Sequence, residues 1–475
     1  MADLIVTGGV VVTVDPDRRV IADGAVAVTG DRITAIGTSA EIAAAHSAPR
    51  VIDARGKAIL PGLVDTHAHA GHGLVKTLGG GDSEAWFNAC EVIYTVGSTP
   101  EFWHAEAQLA ALERLRFGVT TGVSLLGGGD SIMRTDDTAF GDAHCEGVRA
   151  VGTRSVVAVG STRPPHPRTY GLIGGATQPI SYERQRDTCL ALVEKWHGSH
   201  GRRLNIAFLT PTLRAEHTEG MSAADVEAAR AQAVEMSRLA REHDLVFTQD
   251  GHRTGSVVYA HELGILGPEA LLSHSTGLTE DEIRICADTG TKIAHNPSAI
   301  ASVFARCPVT ELLTAGVTVG LGSDGTAPDR SADMFRHMQQ CMHHHRTHHR
   351  DPKWLPPGKV LEMATIDAAR ALGMDDDVGS LEVGKKADII TVELRRPHMA
   401  PANMPVYRVI CFANGNDVDT VIVDGQVALE GRHALTVDEE AVIDAAERET
   451  ALMLERTGLG HLTAMPETFW RSVHY

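Results

Sequence analysis

Between residues 60 and 370, eight short apolar runs alternate with segments rich in Ala, Glu and Leu, and no other feature restricts the fold of the chain as much. The runs are ILPGLVD leading to His67, VTTGVS around Thr120, RSVVAVG from Arg154 and LNIAFLT from Leu204, followed by DLVFT from Asp244, ALLSH ending at His274, TKIAH ending at His295 and VTVGLGSD ending at Asp324. The segments between them, among them TPEFWHAEAQLAALERLRFG, SAADVEAARAQAVEMSRLAREHD and TEDEIRICADTG, are helical in pattern. Strands joined through helices are parallel, and eight such units close into a barrel, so the chain is predicted to be α/β with a (β/α)8 barrel. An open doubly wound sheet is the rival. Such a sheet gathers its chemistry at one switch point, whereas here polar residues suited to chemistry follow several successive strands.

The flanks have a different texture. LIVTGGVVVTV, GAVAVTGDRITAIG and RVIDARGKAIL at the start, and ADIITVEL, YRVICFA and VDTVIVDGQVALEGR near the end, are β-branched runs broken by Gly, Asp or Pro. Their likeness predicts one small β-sandwich subdomain built from both chain ends, with two unrelated caps as the alternative. The expected organisation is a first β part over 1–59, the barrel over 60–374, a second β part over 375–435 and a helical extension over 436–475.

Composition narrows the class of partner. A formal charge of -18 opposes nonspecific binding to nucleic acid or to an anionic membrane, since both need a concentrated positive surface. No run reaches the roughly 18 to 20 apolar residues that span a bilayer, and MADLIVTGGVVVTVDPDRR lacks the basic end and apolar stretch of a signal peptide, so a cytoplasmic location is expected. The seven Cys are scattered without a CxxC pair and are expected to be buried thiols.

The chemistry concentrates at strand ends. His67 and His69 form an HxH at the end of the first barrel strand, and period-two alternation points both imidazoles to one face. His274 and Asp324 also end apolar strands. Three neutral imidazoles with one carboxylate suit Zn²⁺ or a related divalent ion and leave a position for water. Trp86, Phe87 and Tyr94 after His69 are candidates for an apolar pocket wall, and His295 at the end of strand seven is a further pocket candidate. SLLGGGDS around Gly128 is glycine-rich but lacks the Lys-Ser/Thr ending of a nucleotide-binding loop. STRPPHP, with Arg163 and His166, follows strand three and reads as a Pro-constrained surface loop. The cluster CMHHHRTHHR, carrying His343, His344, His345, His348 and His349, suits a polar surface, a subunit contact or a peripheral metal site, and the sequence does not choose among them.

Six stretches together resemble the amidohydrolase superfamily: GKAILPGLVDTHAHAGH, LLSHSTGLTEDEI, KIAHNPSA, VTVGLGSDG, ATIDAARALG and GSLEVGKKADIITV. The similarity is to the branch that includes cytosine and guanine deaminases, chlorotriazine hydrolases and hydrolases of phenylureas and thiocarbamates such as molinate. It extends over nearly the whole chain. The resemblance implies that His67 and His69 bind metal, that His274 contacts substrate or attacking water, and that Asp324 binds metal and accepts the water's proton. It implies a homo-oligomer as well.

Two departures matter. Where deaminases of this branch carry HxxE after strand five, LVFTQDGHRTG places Gln249 and His252. Either is open as the strand-five ligand; His252 is the better nitrogen donor if Gly251 bends the chain inward, and Gln249 is otherwise a pocket residue. The missing glutamate removes the acid that protonates ring nitrogen and leaving ammonia. Strand four, LNIAFLT, lacks the lysine whose carbamate bridges two metals in binuclear relatives, so one ion is expected, Zn²⁺ foremost, with Co²⁺, Mn²⁺ or Fe²⁺ suited to the same donors. The predicted activity on a small-molecule substrate is therefore hydrolysis of a C–N or C–S bond at a carbonyl-like carbon of an amide, urea, carbamate or thiocarbamate. The alternative is an aminohydrolase or dechlorinase acting on a triazine, pyrimidine or purine. A non-catalytic barrel is the reading from another class, and the retained His67, His69, His274 and Asp324 weigh against it.

Overall fold

A computed structural model describes residues 1–128, 132–214 and 218–470. Its centre is an eight-stranded parallel sheet, whose strands we label in chain order: β1 (Leu63–Asp65), β2 (Val119–Leu125), β3 (Arg154–Gly160), β4 (Leu204–Leu209), β5 (Phe247–Gln249), β6 (Ala270–Ser273), β7 (Lys292–His295) and β8 (Val319–Leu321). Each strand pairs with the next, so spatial order follows chain order. The ring comes close to closing between β8 and β1, where the Thr66 N–H donates to Leu321 O at 3.0 Å and the Asp324 N–H to His67 O at 2.8 Å. Every residue of β2 and β3 is buried, which is why, after Arg154 at the start of β3, these runs are apolar or small rather than alternating.

The chain ends do share one sheet. Lys57–Pro61 pairs antiparallel with Ile389–Glu393, Leu60 lying opposite Ile390, and this ladder joins the N-terminal strands to the C-terminal ones in a nine-stranded mixed β-sandwich layer. Leu4, Val6, Val26, Ile59, Ile389 and Ile422 form its core. Two expectations change in detail. ILPGLVD is two strands in two sheets, divided at Gly62, because a Cβ there would lie 2.1 Å from Thr120 Oγ1 and only glycine lets the chain cross that closely. YRVICFA is a helix, Pro405–Phe412, with Pro at its first turn and Arg408, Val409 and Ile410 buried, so its apolar residues follow the helical period despite their β-branched character.

The C-terminal segment forms a helix, Glu439–Thr457, packed against the Pro100–Arg116 helix and held there by Arg116 to Glu439 at 2.5 Å. All seven cysteines are free and six are buried. Among the described residues no helix is long and apolar enough to cross a membrane.

Candidate metal centre

Strand ends on one face of the barrel bring His67, His69, Asp250, His274 and Asp324 together. His67 and His69 follow β1, and their rings stand edge to face at 5.1 Å, as an HxH on one side of an extended segment requires. Asp250 follows β5 directly; its Oδ1 lies 3.4 Å from His67 Nε2 and 3.2 Å from His274 Nε2, and its Oδ2 lies 3.4 Å from His69 Nε2. Asp324 Oδ1 is 3.2 Å from His69 Nε2 and 3.8 Å from His67 Nε2, and its Oδ2 is 3.9 Å from His274 Nε2.

Supporting contacts aim these groups. The Nδ1–H of His69 donates to Gly127 O at 3.2 Å, which leaves Nε2 free to face the cluster. Asp65, at the end of β1, accepts from the Ser323 N–H at 2.9 Å and Ser323 Oγ at 2.7 Å, tying β1 to the turn that carries Asp324. Ser273 Oγ donates to Asp250 Oδ1 at 2.5 Å. Glycine is required where the β8 turn meets these rings: a Cβ on Gly322 would sit 2.9 Å from that of His67, and one on Gly325 would strike His72 Nδ1 at 1.9 Å.

The electrostatics are those of buried imidazoles facing buried carboxylates. Burial lowers His67 to about 4 despite Asp250 beside it. Burial acts in the same direction on His69 and His274, but Asp324 and Asp250 outweigh it and raise both. Burial works against ionising Asp250 and Asp324 too, yet the surrounding imidazoles hold both carboxyls well below the usual range. His67 Nε2 is buried without a hydrogen-bond partner, although it points at two carboxylates. Convergent lone pairs of this kind, all N and O, fit one divalent cation, Zn²⁺ or alternatively Co²⁺, Mn²⁺ or Fe²⁺.

The strand-five expectation needs correcting. Gly251 does bend the chain, with φ +80°, but the bend brings Asp250 to the cluster and turns His252 away. His252 Nδ1 shares a 2.9 Å hydrogen bond with Ser256 Oγ, and its Nε2 donates to Gln249 Oε1 at 3.2 Å. Both ring nitrogens are thus engaged outside the cluster. Gln249 clamps β5 to the end of β4 through Thr210 Oγ1 at 3.2 Å and Pro211 O at 3.3 Å. Asp250 lies between the two positions that the HxxE spacing singles out, and its one signal in the sequence is its place directly after the apolar run of β5.

The other pocket candidates separate. Trp86 and Phe87 line a cleft of about 650 Å³ together with Phe304, Arg330, His337 and Gln340. Arg330 lies 3.5 Å from Asp324 Oδ2 and so connects that cleft to the cluster. Tyr94 is fully buried, stacked beside His72, rather than in the cleft wall. His295 is buried against the Met334–His349 helix, its ring 5.7 Å from that of His345. Of SLLGGGDS, residues 129–131 lie outside the described residues.

A near-closed parallel barrel with imidazoles and carboxylates converging at its strand ends defines a mononuclear, metal-dependent hydrolase. The chain belongs to the amidohydrolase family, whose model matches residues 58–428. A second model, an imidazolonepropionase-like composite domain of bacteria, matches residues 24–46. A 5-methylthioadenosine/S-adenosylhomocysteine deaminase of Desulforudis audaxviator is 32% identical over 91% of this chain and 95% of its own. A 5'-deoxyadenosine deaminase of Methanosarcina mazei is 29% identical over 96% of this chain and 99% of its own. Among solved structures, a zinc-bound adenosine deaminase from Xanthomonas campestris superimposes with TM-score 0.82 at 23% identity, covering 96% of this chain and 99% of that one. The atrazine chlorohydrolase TrzN from Arthrobacter aurescens, complexed with zinc, gives TM-score 0.75 at 22% identity, covering 95% and 100%.

Proposed function

We propose that the chain hydrolyses the bond between a carbon of an N-heterocycle and its exocyclic leaving group, with an aminopurine nucleoside as the foremost substrate class. The carrying observation is that Asp324 Oδ2 and His274 Nε2 face each other at 3.9 Å, near a cleft whose wall includes Trp86, Phe87 and Phe304. Flat apolar side chains suit a planar ring, and the deaminases that match over almost their full length favour a heterocycle over an open-chain amide. His67, His69 and Asp324, joined by Asp250 in place of a strand-five histidine, are the proposed metal ligands.

What a divalent ion supplies in such a site is a lowered pKa for water and Lewis acidity toward the carbon under attack. Asp324 Oδ2 takes the proton of the attacking water, and the Arg330 guanidinium at 3.5 Å keeps that carboxylate ionised between turnovers. His274 Nε2 donates a hydrogen bond to the charge that develops as the ring carbon becomes tetrahedral, then passes its proton to the leaving group. Water adds at the carbon, the exocyclic C–N bond breaks, and the products are the oxo-heterocycle and ammonia.

A second reading, cleavage of an amide, urea, carbamate or thiocarbamate, is favoured by one observation. No carboxylic acid stands at 252, where a deaminase acid is expected, and His252 is locked onto Gln249 and Ser256. The test is product analysis by mass spectrometry after reconstitution with Zn²⁺, Co²⁺, Mn²⁺ or Fe²⁺. Ammonia with an intact ring, one oxygen replacing one exocyclic nitrogen, is the expected outcome with 5'-substituted adenosines. Amine release from aryl ureas or thiocarbamates, with the adenosines untouched, establishes the second reading. Inertness of every metal form toward both panels overturns both.

A further inference from the structure

Outside the hydrolytic centre, one other fully buried group of metal-ligating side chains stands out among the described residues. His295 ends β7, while Cys341 and His345 lie one helical turn apart on Met334–His349, so positions i and i+4 face the strand end together. Their ligating atoms lie within 4.8 Å of one another. The three residues are 5%, 0% and 0% exposed, yet His295 Nε2 and both ring nitrogens of His345 have no hydrogen-bond partner. Buried polar nitrogens left unpaired are costly, and three in one spot call for an occupant.

We propose that His295, Cys341 and His345 form a second, thiolate-containing metal site that takes Zn²⁺ as its structural ion. Two imidazoles and one thiolate are a borderline-soft donor set that suits Zn²⁺, Co²⁺ or Cu⁺ and excludes Mg²⁺ and Ca²⁺. Burial pushes the Cys341 thiol up and the His345 imidazole down to about 4, so the imidazoles stand neutral and the sulfur ionises only beside a cation. Binding therefore releases the thiol proton to solvent, and the ion with its thiolate keeps one net positive charge. A small void lined by His295 and His345, with Thr276, Asn296, Arg306 and His344 around it, borders two of the three ligands and has room for one water as fourth ligand. Arg306 also acts on His345 with its positive charge, which Glu311 offsets in part through bonds of 2.9 and 2.6 Å.

The location gives the ion a task. Asp333 caps the Met334–His349 helix through the Phe335 N–H at 3.1 Å, and the far turns of that helix carry Cys341 and His345. An ion there pins the helix to the end of β7, where Asn296 follows His295 and lies 3.5 Å from His274 Nε2. It thus fixes the wall behind His274 without touching substrate.

The two sites are distinguishable by donor type, since the hydrolytic centre contains no sulfur. Replacing all zinc by Co²⁺ in the full-length protein is expected to produce an intense near-ultraviolet thiolate-to-cobalt charge-transfer band. The band is expected to vanish in Cys341→Ser and His345→Gln and to persist in Cys307→Ser, the neighbouring buried thiol. Zinc content is expected to fall from about two ions per chain to about one in Cys341→Ser. A wild-type cobalt protein without the band overturns the proposal whether or not any variant folds. So does a band that survives Cys341→Ser, or zinc content unchanged by that substitution.

Discussion

Asp324 and His274 hold backbone φ values of +61° and +62°, in the left-handed region that L side chains rarely adopt. Each such residue costs about 1–3 kcal/mol and persists only where its surroundings impose it. At Asp324 the imposing contact is the 2.8 Å hydrogen bond from its own N–H to His67 O. Asp324→Asn keeps that backbone bond and the side-chain volume but removes the proton acceptor. Turnover is expected to fall about 10²–10⁴-fold with the melting temperature nearly unchanged, read by steady-state kinetics beside a thermal melt. Glu106 makes a separate prediction. It is wholly buried, and burial raises its carboxyl to about 7 despite the Gly71 and Gly73 amides that favour its anion. A carboxyl with a raised folded-state pKa binds its proton more tightly folded than unfolded, so its contribution is full below the unfolded value of about 4.5 and is lost as pH rises toward 7. Glu106→Gln retains an acceptor for the Gly73 N–H without ionising. It is expected to gain on the order of 1–3 kcal/mol over wild type at pH 8 and little at pH 4.5, measured by urea unfolding at both values.

At the scale of elements, the turn after β5 decides which side chain joins the cluster. Its three strand residues, Phe247–Gln249, end one position before Asp250, and period-two alternation stops being a guide once the chain leaves the strand. Gly251 then takes φ +80°, with no atom nearer than 3.7 Å to where a Cβ would stand. Gly251→Ala therefore tests backbone conformation free of steric clash. We expect it to cost about 1–2 kcal/mol in stability and to lower kcat/KM through displacement of Asp250. An unchanged kcat/KM would show that Asp250 keeps its place without the bend. The HxH and the carboxylate after β8 were legible in the sequence because each sits within two or three residues of a recognisable strand end. Asp250 was not, since a turn conformation set by one glycine separates it from the pattern around it. His295 was legible as a strand-end histidine but not as a neighbour of His345, because a helix face from later in the chain supplies the contact.

For the molecule as a whole, the mixed sheet formed by the two chain ends is attached to the barrel face opposite the metal centre. Arg154, the first residue of β3, reaches Asp388 at 3.2 Å and Asp424 at 2.6 Å in a buried network. Burial disfavours its charge, but the two carboxylates more than compensate and raise its pKa, while burial raises that of Asp388. Arg154→Ala leaves Asp388 buried beside Asp424 without its cation, while Asp424 keeps Arg203 at 3.3 Å and Lys386 at 3.6 Å. It is expected to lower stability by about 3–5 kcal/mol, seen as a reduced melting temperature, with kcat per folded molecule preserved because the active face lies at the other ends of the strands. Activity lost in proportion beyond the unfolded fraction would show that the sheet communicates with the site. Alternating apolar strands and helices, and histidines placed at strand ends, were enough for the sequence alone to determine the barrel and to mark its metal-binding face, because both are consequences of local periodicity. Only the tertiary structure decided that Asp250 rather than His252 faces His67, that residues 57–61 leave the barrel for the terminal sheet, and that Cys341 and His345 meet His295. Those outcomes depend on turns and on contacts between distant segments, where free energy is settled by packing around the closed ring and not by the residues on either side in the chain.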